Sequence, residues 1–110
     1  MKKIIYVSIA LMAVGCAASK SLAPTQGDVD RVSSKFSGYT LADLEQGKKL
    51  YEENCGLCHK LYKPSQENEQ GWNRIVPEMV KKTNRKQAKE AVNAEGEELI
   101  RKYLITMSGK

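Results

Sequence analysis

The run Cys55-Gly56-Leu57-Cys58-His59 constrains this chain more than any other feature. Residues three and four apart share one face of a helix or a helix-like turn. The two thiols and the imidazole of the chain's single histidine therefore point together, and whatever they hold must lie against that face. The chain has 110 residues, enough for one small domain. Once its leading segment is set aside, about 70 residues remain to fold, a size at which an apolar core alone is marginal. Aromatic residues make up only 6% of the chain, so something besides side chains has to complete the core.

The leading segment reads as an export signal, residues 1–15. Lys2 and Lys3 give the basic start, and Ile4 to Val14 form an apolar run. A membrane-spanning helix needs about 20 apolar residues, so the run is too short to be one. Ala13-Val14-Gly15-Cys16 resembles the bacterial lipoprotein cleavage box, with Ala13 where that box usually has leucine. The resemblance implies cleavage before Cys16, lipid on its thiol, and a chain anchored on the periplasmic side of a bacterial membrane. Ala17 after the cysteine tilts the expectation toward the outer membrane. Cleavage near Ala17-Ala18-Ser19 without lipid is the alternative. Residues 16–37 are rich in Ser, Ala, Gly and Thr and lack a sustained apolar period, which predicts a flexible tether. The folded domain is then residues 38–110.

Within that domain the pattern is all-α, with three helices. The first begins at Thr40, an N-cap with Asp43 three residues on, and carries Leu41, Leu44, Gly47 and Tyr51 along one stripe. Gly47 suits a place where another helix crosses closely, or is simply tolerated at about 1 kcal/mol. The second covers roughly 70–82, where Trp72, Ile75, Val76, Met79 and Val80 make a one-sided stripe. Pro77 should kink or loosen it before Met79, and the basic run from Lys81 to Lys89 reads as a loop or exposed turn. The third spans roughly 94–107, capped by Asn93, with Leu99, Ile100, Tyr103, Leu104 and Met107 on its apolar face.

The C-x-x-C-H run is the signature of c-type haem attachment. Each thiol would add across a haem vinyl group, and the imidazole would lie over the iron. Three other readings of the same residues stand beside it. A thioredoxin-like redox pair needs an α/β fold. Zinc needs a fourth ligand, and no second histidine exists. A Cys55–Cys58 disulfide is compatible with export.

Taken over Tyr39 to Leu104, the chain resembles the class I c-type cytochromes. The residues that carry the likeness are Gly47 and Tyr51 before the motif, the motif itself, Leu61 and Pro64 after it, Trp72 ahead of Met79, and the closing Ile100, Tyr103 and Leu104. The resemblance implies a small cytochrome c fold, helices packed around one covalent haem c. Cys55 and Cys58 would hold the haem, with His59 as proximal iron ligand and Met79 as distal ligand. Pro64 would orient His59 through its carbonyl, and Trp72 would pack on or near the haem. Met107, at the end of the last helix, is the other methionine to weigh. The function implied is a single-electron carrier, not an enzyme, meeting redox partner proteins at a membrane surface. The alternative is a haem-based sensor or gas-binding protein with an open distal position.

The formal net charge is +5, mild and scattered, which argues against nucleic acid as a partner. Lys60, Lys63, Lys81, Lys82, Lys86 and Lys89 flank the motif and Met79. They form either a steering rim or an ordinary solvated surface, with Glu67, Glu69 and Glu78 interrupting any single-sign patch.

Overall fold

The computed structural model describes residues 23–56 and 60–110. Among the described residues there are four α-helices, one 3-10 turn and no strand, so the expected all-α class holds. The signal segment, Cys16, Cys58 and His59 lie outside the described residues.

Helix α1 spans Gln26–Arg31, α2 Leu41–Asn54, α3 Glu69–Gln87 and α4 Ala94–Ser108, with a 3-10 turn at Pro64–Gln66. The Thr40 hydroxyl accepts from the Asp43 N–H, and the Asp43 carboxylate accepts in return from the Thr40 N–H, a reciprocal cap that fixes where α2 starts. Asn68 and Asn93 cap α3 and α4 through their side-chain oxygens. Helix α4 is the centre of the packing: α2, α3 and the 3-10 turn lie against it, and α1 touches α2 and α4. Trp72, Leu44, Ile100, Leu104 and Val76 are fully buried where these helices meet. Each such side chain contributes about 1.5–3 kcal/mol relative to exposure.

Gly47 marks the crossing of α2 and α4. A methyl group there would stand 2.3 Å from the Leu99 carbonyl oxygen and 2.8 Å from the Tyr103 Cβ, so only glycine admits this approach.

Two expectations are corrected. The composition predicts a tether up to residue 37, but folded structure begins at Thr25. Thr25 and Asp28 form a second reciprocal cap, and Val29 and Phe36 are buried. The segment is held by distant partners: Arg31 donates to the Thr106 carbonyl at 2.7 Å, and Lys110 to Asp28 at 3.2 Å. The second correction concerns α3, which runs through Pro77 and on to Gln87 instead of ending near 82. Pro77 is exposed, so water can serve the backbone carbonyl that the ring leaves unpaired. Val76, Val80 and Thr83 are buried on both sides of it and keep both halves of the helix against the core. The helix stops at Ala88, whose φ of 52° is left-handed. The Asn84 side chain then clamps both the N–H and the carbonyl of Val92 at 2.9 Å, turning the chain into α4.

Asp28 gives the fold a pH dependence. Burial pushes its pKa up, but hydrogen bonds from the Thr25 backbone and hydroxyl and from Lys110 outweigh it and hold the carboxyl below its ordinary 3.8. A carboxylate with a depressed folded pKa stabilises fully above its unfolded value, and that contribution is lost as pH falls through the folded one. The melting temperature should therefore drop as acid is added below about pH 4. Asp28→Asn should flatten that part of the profile while lowering stability at neutral pH.

Candidate functional site

Helix α2 delivers Cys55 to its C-terminal end, where the Cys55 N–H still donates to the Tyr51 carbonyl at 2.9 Å. The Cys55 side chain is buried. Two side chains pin the stretch of chain that returns after the motif. The Tyr51 hydroxyl donates to the Tyr62 carbonyl at 2.8 Å, and the Trp72 indole N–H donates to the Pro64 carbonyl at 2.9 Å. Burial, with the nearby Cys55 thiol adding to it, pushes the Tyr51 hydroxyl well above its usual pKa, so it remains a donor.

Cys55 opens onto a cleft of about 660 Å³. Its long wall is α3, which presents Ile75, Met79 and Thr83 in one row and Arg74, Glu78 and Lys82 in a parallel one. Successive residues in each row are four apart, the spacing that puts helical side chains one above another. Met79 is half-buried and packs against the core while lining the cleft with Cys55. The structure thus brings together Cys55 and Met79 from the expected set. Met107 is buried at the far end of α4 and lines a different cleft, of about 400 Å³, with Tyr103 and Pro64.

Trp72 is fully buried and is not among the cleft-lining side chains. The Pro64 carbonyl, expected to orient His59, takes the Trp72 N–H; a carbonyl has a second lone pair, so this contact leaves one acceptor position. The six lysines are all exposed but do not share one rim: Lys82 borders the first cleft and Lys63 the second. Glu67 and Glu78 share the first cleft with Arg74 and Lys82, so its charge is mixed. Sequence reasoning misses the role of Thr83, a buried polar residue in the cleft wall. Its signal is its place four residues beyond Met79 on the stripe.

The family model described as RdRP, head domain, a domain of RNA-dependent RNA polymerases, matches residues 27–109, and the chain belongs to that family. Comparison with curated proteins and with solved structures returns no match. The family match overturns the class I cytochrome c resemblance, which rested on a five-residue motif and scattered helix positions, whereas the match spans almost all of the folded region. With it fall the readings as a single-electron carrier and as a haem-based sensor. The expectation that the chain is not an enzyme is also corrected, because the family belongs to a polymerase. So are the expected redox partners and the exclusion of nucleic acid, since the family's enzyme works on RNA.

Proposed function

We propose that this chain is a haem-holding domain in which the cleft beside α3 takes one haem c. Cys55 and Cys58 would carry the two thioether links, and His59 and Met79 would bind the iron. The observation that supports this is the meeting of Cys55 and Met79 on one cleft, from elements 24 residues apart in sequence. The fit is chemical as well as spatial. The cleft volume lies within the range of about 300–1,000 Å³ common to small-molecule sites. Its wall offers apolar surface at Ile75 and a soft thioether at Met79, a ligand type that suits iron in haem proteins. A bound haem supplies an iron whose axial ligands set its reduction potential. The residues of this chain supply the rest. Tyr51 and Trp72 hold the chain on either side of the motif, Trp72 fills the core between α3 and the 3-10 turn, and Pro64 keeps an acceptor free for the His59 ring N–H.

The export reading belongs to the same proposal, since covalent haem attachment takes place outside the cytoplasm in bacteria. A lipid at Cys16 would hold the domain at the periplasmic face of a membrane. The mass of the membrane-extracted chain tests it: a mature protein starting after Cys16 without acyl mass rejects the anchor.

The haem test is expression of the full chain in cells able to attach haem c, followed by denaturing electrophoresis and a haem stain. The wild type should keep its stain through denaturation, and the Cys55→Ala, Cys58→Ala double variant should lose it. Met79→Ala should stay stained but change its visible spectrum. A wild-type chain without covalent haem rejects the reading.

A second reading is carried by the family match alone: as a polymerase head domain, the chain would contact RNA. Fluorescence anisotropy with a single-stranded RNA should then give a dissociation constant of about 1–100 µM that weakens as salt rises. Binding that is absent or indifferent to salt rejects it.

A further inference from the structure

The positive charge of this chain is not scattered. Residues 81–89 hold Lys81, Lys82, Arg85, Lys86 and Lys89 and no acidic residue, while the other described residues hold ten Lys and Arg against thirteen Asp and Glu. Apart from this stretch, therefore, the domain is net acidic. Four of the five cations lie on the last two turns of α3, and Lys89 follows just past its end. All five are exposed, and among the described residues none of them makes an ion pair. Glu78 and Glu90 border the stretch, four residues from Lys82 and from Lys86, and five cations still face two acids there.

Helix stability does not account for this pattern. Cations in the last turn complement the helix dipole, which covers Arg85 and Lys86, but the effect fades within that turn and leaves Lys81 and Lys82 outside it. Lys81 with Arg85, and Lys82 with Lys86, are like charges four apart, which repel along a helix. The two rows lie side by side on the exposed side of α3, away from the buried Val76, Val80 and Thr83. Within each row the two cations are about 6 Å apart along the axis, close to the step between successive phosphates of an RNA strand.

We propose that this exposed face at the C-terminal end of α3 binds the phosphate backbone of single-stranded RNA through Lys81, Lys82, Arg85, Lys86 and Lys89. This rests on the RNA reading drawn from the family match and adds the surface that makes the contact. No aromatic side chain stands among the five, so the contact follows charge and does not stack on bases. An anionic lipid surface offers the same charge. A helix that lies on one also inserts apolar side chains, and Val76 and Val80 of α3 are already buried in the core.

The test is fluorescence anisotropy of the full chain with a labelled single-stranded RNA of mixed sequence, titrated at several salt concentrations. Each phosphate contact on a single strand contributes about 0.7 to the slope of log affinity against log salt. Lys81→Gln, Arg85→Gln and Lys86→Gln combined in one chain should weaken binding about tenfold or more and make that slope shallower by about 2. A charge control combining Lys48→Gln, Lys49→Gln and Lys63→Gln removes as many cations from elsewhere and should leave the slope as it is. The α3 substitutions fall on exposed residues, and helical circular dichroism checks the fold of both variants. A wild type that binds RNA while the two triple variants behave alike overturns the α3 surface and leaves the RNA reading standing. A wild type that binds no RNA overturns both, and its capture by phosphatidylglycerol vesicles in that case gives the face to a lipid surface instead.

Discussion

Gly47→Ala should destabilise the domain by about 2 kcal/mol, although alanine is the better helix former. Two effects oppose each other. Alanine in place of glycine within a helix is worth about 1 kcal/mol in favour of the variant. Against this, the added methyl would stand 2.3 Å from the Leu99 carbonyl oxygen and 2.8 Å from the Tyr103 Cβ. The first of these contacts is with backbone, which cannot rotate away, so α2 and α4 must part along their length. Overpacking of this kind costs about 1–3 kcal/mol and occasionally more, and the steric clash wins. Urea unfolding should show a lower midpoint with an unchanged slope. An alanine variant as stable as the wild type would mean that the helices slide apart freely, and the crossing would lose its central place in the fold.

Trp72→Ala should have the largest effect of any single substitution, about 3–5 kcal/mol, because it empties the volume of the largest fully buried side chain. It also removes the donor held by the Pro64 carbonyl. Trp72→Phe separates the two contributions: it keeps much of the ring volume and loses the N–H. That variant should lose less stability in the helices but show faster hydrogen exchange in the described residues just after the motif, 60–66. Equal losses in the two variants would mean that the hydrogen bond matters more than the filled volume, against the packing argument.

The parts of this fold that are legible in the sequence are those governed by rules a few residues long. Thr40 with Asp43, and Asn93 ahead of a glycine three positions on, fix helix starts through contacts that need no tertiary structure. Gly47 points to a close crossing because a glycine inside a helix otherwise costs stability. What is not legible depends on distant partners. Helix α1 is six residues long and stays in place through Asp28 and Lys110, 82 positions apart, and through Lys102 lying 5.3 Å over the Phe36 ring. Nothing in its Ser- and Gly-rich surroundings announces that. Pro77 speaks against a continuous helix, and the burial of Val76 and Val80 decides otherwise.

The site divides the same way. The motif marks Cys55 and the α3 stripe carries Met79, but only three-dimensional placement puts these two on one cleft and Met107 on another. The family is the least legible part. A five-residue motif dominates a local reading and points to the class I cytochromes c, while the family model matches residues 27–109.

The clasp between the two ends of the folded region has a topological consequence. Lys110 reaches both the Asp28 carboxylate and, at 3.4 Å, the Ala23 carbonyl, so the last residue lies beside the first described one. A few residues of linker would close the domain into a ring. New termini could then be opened in the exposed turn after α3, at Lys89 and Glu90, without cutting any helix. Such a permutant would keep α2, the cleft and α4 in their present order around the ring. It would exchange the ionic clasp for a covalent one, indifferent to acid.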